Sequence, residues 1–147
     1  MATAISAPAP KHLWVVGILS LLWNAFGATD YVMTETGNLA WFEMMGMGQA
    51  ELDFFASLPT WAVALWAIGV WGSVAGSILL LLRLRYAATA YLLSLLGALA
   101  SFVAQYTMEK PATLETGMQV VFPIVILILI AAQWFYARRQ AAAGVLR

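Results

Sequence analysis

Residues 61–106 read "WAVALWAIGVWGSVAGSILLLLRLRYAATAYLLSLLGALASFVAQY". Two apolar runs stand on either side of Arg83 and Arg85, each long enough for the about 20 residues that carry a helix across a bilayer core. The intervening "RLRY" leaves room only for a tight turn, so the stretch predicts two antiparallel neighbours joined as a hairpin. Pro59, suited to the first turn of a helix, opens the first of them. The two spans are expected over 59–82 and 86–106.

Working outward, comparable runs occupy 13–33 and 118–136. The chain has 147 residues, of which 63% are apolar and 10% charged, against about 45–50% and 25% in soluble domains. A soluble fold of this length cannot hide so much apolar surface. In hydrocarbon every backbone amide must be satisfied within the protein, and runs this long without alternation do so only as helices. The fold expected is all-α, an integral membrane bundle of four antiparallel helices over 11–139. A short flexible tail, "MATAISAPAP", precedes it over 1–10 and a C-terminal tail follows over 140–147. Lys11, His12 and the apolar run before "NAFGA" also have the outline of a signal peptide. The leading ten residues carry no basic group, however, and the run is taken as the first span.

Charge supplies orientation. The basic residues Lys11, Arg83, Arg85, Arg138, Arg139 and Arg147 flank the ends that lie on one side of the bundle, and only Lys110 departs from them. The acids Asp30, Glu35, Glu43, Glu51, Asp53, Glu109 and Glu115 all fall on the other side. Lys and Arg in short loops stay cytoplasmic, so both termini are expected inside a bacterial inner membrane, with two outer loops. The first outer loop, 34–58, contains "LAWFEMMGMGQAELDFFASLP", whose aromatic and Met residues alternate with Glu43, Glu51 and Asp53. That pattern suits an amphipathic segment on the membrane surface. Gly46 and Gly48 interrupt it, leaving a short helix near Gln49–Ala56, with Ser57 expected to cap the second span. The loop serves either as a lid over the bundle or as a shield for helix ends.

Membrane helices associate through small residues and hydrogen bonds. The second span offers Gly69, Ser73 and Ser77 at four-residue spacing, with Gly72 and Gly76 as an adjacent row. The third offers Ser94 with Ala98, and Gly97 with Ser101 and Gln105. These rows are expected to form the hairpin interface, although Gly72 and Gly76 also fit a dimer contact. The fourth span, "VVFPIVILILIAAQWF", has little for a neighbour to grip and is expected to face lipid except near Gln119 and Gln133.

Asn24 breaks the first apolar run, about nine residues from its outer end, close to mid-membrane at about 1.5 Å per residue. Trp66, Gly69, Gly97 and Ser101 are expected at comparable depth. Two readings stand. In one, Asn24 is an interhelical hydrogen-bonding residue. In the other it is the floor of a vestibule with Trp23 and Trp66 as walls and Asp30, Tyr31, Gln105 and Gln119 at its mouth, a lining suited to a polyhydroxylated ligand. Cysteine is absent and His12 is the lone histidine; it is read as an interfacial residue, since metal sites need several converging ligands. No enzyme chemistry, metal, cofactor or nucleic-acid partner is expected.

The strings "WNAFGATDYVMTETGN" and "WAVALWAIGVWGSVAGSILLLLR" resemble a group of small four-span proteins of Gram-negative bacteria, with the likeness covering residues 13–106. Some members carry the label sugar transporter. The organisation is also loosely similar to small four-helix proteins of the DoxX type. The resemblance implies a four-span inner-membrane protein and carries no functional residues over. The function expected is a non-enzymatic binding module for a small molecule or lipid, or an accessory subunit, with the bilayer and either a membrane-complex partner or copies of itself as company. The alternative is an oligomeric transporter of a small neutral solute such as a sugar.

Overall fold

A computed structural model describes residues 7–147. The described chain is built from six α-helices: α1 Lys11–Glu35, α2 Leu39–Met44, α3 Gln49–Ala56, α4 Thr60–Leu81, α5 Tyr86–Tyr106 and α6 Met118–Ala142, with a 3-10 turn over Ala112–Glu115 before α6. Four of them, α1, α4, α5 and α6, are long and apolar enough to cross a membrane, which marks the chain as a multi-pass membrane protein with an all-α bundle. The start of α1, the C-terminal residues and the α4–α5 turn lie at one end, called here the terminal end. The short helices and the 3-10 turn lie at the other, the loop end. Most of the tail expected over 1–10 lies outside the described residues.

Small residues decide how closely the helices approach. α4 and α5 form the most extensive contact, and Gly69, Gly72 and Gly76 meet Ala98, Ser94 and Tyr91 in turn. Gly97 comes back against the backbone of Leu65 and Gly69. The hairpin therefore occupies the Gly72–Gly76 row itself. Ser73 and Ser77, on the adjacent face of α4, meet Asn24 of α1, and Ser77 also reaches Tyr91 of α5. On α1 the buried stripe is Leu13, Gly17, Ser20, Asn24 and Ala28, the three-to-four spacing of one helix face. Gly17 admits Leu81 from α4 near the terminal end. α6 packs on α5, and only 17% of its apolar window is buried, so most of its aliphatic surface points outward.

The α4–α5 turn closes without glycine. Arg83 adopts a left-handed conformation, φ 59°, while its N–H donates to Leu80 O and that of Leu84 to Leu79 O. An L-residue other than glycine holds this conformation only when its surroundings compensate. Here the Arg83 guanidinium donates to Val145 O at 3.2 Å and to Ala7 O at 2.6 Å. The C-terminal residues thus do not trail free: α6 runs on to Ala142, and the chain turns at Gly144, φ 72°. It then returns to the hairpin turn through Arg147 N to Arg83 O and Arg85 N to Arg147 O. Val145 and Leu146 are buried against Leu13, Leu80 and Ala87. Apolar side chains at these positions bury more surface by folding back than by leaving the helix as a tail.

Candidate functional site

Three places in the fold carry polar groups in unusual settings: the bundle centre, the loop end, and the seam between α1 and α6.

At the centre, the amide Nδ2 of Asn24 donates to Ser77 Oγ at 2.9 Å, to Ser73 O at 3.1 Å and to Gln133 Oε1 at 3.1 Å. Two N–H groups serve three acceptors, so one proton is shared. The Ser77 hydroxyl also bonds the Tyr91 hydroxyl at 2.9 Å and reaches Ser73 O at 3.0 Å. Asn24, Ser77, Tyr91 and Gln133 come from α1, α4, α5 and α6, so this network joins all four long helices. Each member is buried, and among the described residues no fully buried side-chain nitrogen or oxygen lacks a partner.

This places Asn24 level with Ser73 and Ser77, one to three turns from the Trp66 and Gly69 expected beside it. Counting residues from an assumed helix end missed the register because close approach sets it: Gly17 against Leu81 and Tyr31 against Trp66 fix how α1 lies along α4. Gln133 and Tyr91 completed the network without having been singled out for it. Gln133 is the one polar residue in the inner half of the fourth apolar run, and Tyr91 lies on the stripe shared by Ala87, Ser94 and Ala98.

At the loop end, aromatic rings stack over the helix ends. Tyr31 meets Trp66 edge-on at 4.9 Å and Trp71 at 6.3 Å, and Phe55 of α3 packs on Trp66 at 5.6 Å. Asp30 accepts from the Trp41 indole at 2.8 Å, which ties α2 to α1. Asn38 caps α2 by accepting from Trp41 N. Glu51 is 5% exposed and accepts from Gly48 N at 2.7 Å and from the Thr113 hydroxyl of the 3-10 turn. The Thr113 hydroxyl, then the Gly48 amide, hold the Glu51 carboxyl below its usual 4.5, outweighing the opposing effect of burial. Ser57 closes α3 by donating to Phe54 O, and α4 begins after Pro59; the cap expected for the second span belongs to the helix before it. Beside α3, a hollow of about 500 Å³ is lined by Thr34, Glu35, Gln49, Asp53 and Thr60 among others.

The vestibule residues are dispersed among these places. Tyr31 and Trp66 stand together at the α1–α4 contact, whereas Trp23 faces Phe122 of α6 at 6.0 Å. Asp30 is engaged by Trp41, Gln105 donates to Ser101 at 3.0 Å, and Gln119 is half-buried at the start of α6. Ser94 donates to Gly69 O inside the hairpin.

Along the α1–α6 seam lies a groove of about 440 Å³, lined by Val16, Leu19, Ser20, Trp23, Leu129, Ala132, Gln133 and Tyr136. His12 and Tyr136 hydrogen-bond at its terminal end. No group of three or more His, Asp or Glu side chains is placed to share a metal ion among the described residues.

Comparison with known protein families, with characterised proteins and with solved structures finds no match to this chain. The class is defined by the geometry alone: a four-span helical bundle with a polar core, a capped loop end and a lateral groove.

Proposed function

We propose that this chain is a non-enzymatic module of the bacterial inner membrane, with both termini cytoplasmic, that binds a lipid or small apolar molecule or serves a larger complex as an accessory subunit. The observation that supports this reading is the network of Asn24, Ser77, Tyr91 and Gln133, which uses the polar groups at bundle centre to join the four helices. A carrier that moved a solute through that level would have to break these bonds in each cycle. The cytoplasmic placing of the termini rests on the six basic residues at that end.

Native mass spectrometry of the tagged protein, extracted gently from its own membrane, tests the reading. A stable hetero-complex or a retained apolar ligand is the expected result. Saturable sugar flux in reconstituted vesicles, lost on Trp66→Ala with folding intact, would instead make it a transporter.

A further inference from the structure

The groove between α1 and α6 opens on the apolar flank of the bundle: Leu19 at its rim is 61% exposed, and Ala132 is exposed as well. In a bilayer such a wall meets acyl chains and not water. Its floor is different. Gln133 is 9% exposed, one end of its amide is bonded to Asn24, and the other end has no hydrogen-bond partner among the described residues and stays accessible from the groove. Exchanging oxygen and nitrogen in either amide does not remove this, because a single bond between two amides always leaves one polar atom of Gln133 unmatched. A polar atom facing hydrocarbon seeks a partner that arrives with an apolar body.

The charge at the terminal end narrows what that body carries. Arg139 lies two turns beyond Ala132 on the same face of α6, and its guanidinium packs over the Phe135 ring at 5.5 Å, beside the groove's Tyr136 in sequence. His12 stands at the groove's end, with Lys11 beside it. The seven acids of the chain all belong to the loop end. Basic groups around a cleft between membrane helices favour an anionic headgroup.

We propose that the α1–α6 groove holds one anionic phospholipid. Its acyl chain lies along Leu19, Trp23, Leu129 and Ala132, a glycerol-ester carbonyl accepts from the Gln133 amide, and its phosphate lies by His12 and Arg139. The proposal rests on the reading of the chain as a membrane binding module and names the ligand class.

The test uses the full chain in phosphatidylcholine vesicles containing phosphatidylglycerol, followed by native mass spectrometry of the retained lipid. The wild type is expected to keep one phosphatidylglycerol in preference to phosphatidylcholine. Ala132→Trp, which fills the groove from an exposed position, is expected to weaken that retention about tenfold while the melting temperature in lipid-free detergent stays unchanged. Arg139→Gln is expected to lower the preference for the anionic lipid several-fold and spare retention of phosphatidylcholine. Equal retention of the two lipids by the wild type, or undiminished retention by Ala132→Trp, overturns the proposal. So does a dimer that Ala132→Trp dissolves, since a second copy would then occupy the groove. Sugar flux measured in the same vesicles judges the broader functional reading separately: flux with intact lipid selectivity sinks that reading and leaves the site standing.

Discussion

Asn24 shows how much one side chain can do in an apolar bundle. It contacts α4 through a hydroxyl and a carbonyl and α6 through a second amide, and no other residue of α1 bonds two of the long helices through its side chain. Interhelical hydrogen bonds in membranes contribute about 0.6–2 kcal/mol, less than burial alone suggests because the separated helices also find partners. Asn24→Leu is therefore expected to lower stability by about 1–2 kcal/mol, read as a drop of several degrees in thermal unfolding in detergent. An unchanged melting temperature would mean that the network contributes nothing to folding. The same substitution leaves Gln133 doubly unmatched, so Asn24→Leu with Gln133→Leu should cost less than the two single changes added together.

At the scale of elements, the α4–α5 hairpin depends on the absence of side chains. A Cβ on Gly69 would sit 2.9 Å from the Ala98 backbone nitrogen, and backbone cannot yield as a side chain can. Gly69→Ala is expected to destabilise by about 1–3 kcal/mol. Gly27 has nothing within 4 Å of such a Cβ, so Gly27→Ala should be neutral or stabilising, up to about 1 kcal/mol from helix propensity. Thermal unfolding of the two variants side by side checks both. The loop-end cap has a different dependence. Because bonds from Thr113 and Gly48 lower the Glu51 pKa in the folded protein, its contribution to stability is fully present above the usual 4.5. That contribution is lost as pH falls through the depressed folded value. Amide exchange in α3, compared between wild type and Glu51→Gln at each pH, should show protection that declines below about pH 4.5 in the wild type alone. A decline of equal size in Glu51→Gln would assign the effect to another group.

For the whole molecule, the terminal end is a single structure made from three distant pieces of chain. Arg83 O and N–H groups, Ala7 and the last residues bond one another, and Val145 and Leu146 complete the cluster around Leu13, Leu80 and Tyr91. Truncation after Ala142 removes those two side chains and takes from Arg83, in its left-handed conformation, the bonds to Val145 O and from Arg147 N, leaving its side chain only the one to Ala7 O. The expected cost is on the order of 2–4 kcal/mol, measured as a lower midpoint of thermal unfolding. A truncated chain as stable as the full one would reduce the return of the C terminus to an incidental contact.

The apolar runs, the short "RLRY" connection and the Gly46–Gly48 break were legible in the sequence because each depends on a few adjacent residues: span length, turn length and φ freedom are local quantities. α5 coincides with the third apolar run, and the helix Gln49–Ala56 lies where the Gly break leaves it. The smaller α2 was not expected, since its six residues carry too little periodicity to be distinguished from a loop. Only the tertiary structure decided that Gln133 and not Gln119 enters the polar core, that Tyr91 joins it, that Glu51 is held by Thr113 and not solvated, and that the C terminus returns to the hairpin. Each of these pairs groups far apart in the chain. In lipid no hydrophobic difference tells a helix which face to turn inward. Facing and register follow instead from where glycines and serines let backbones meet, and that is settled by all the helices at once.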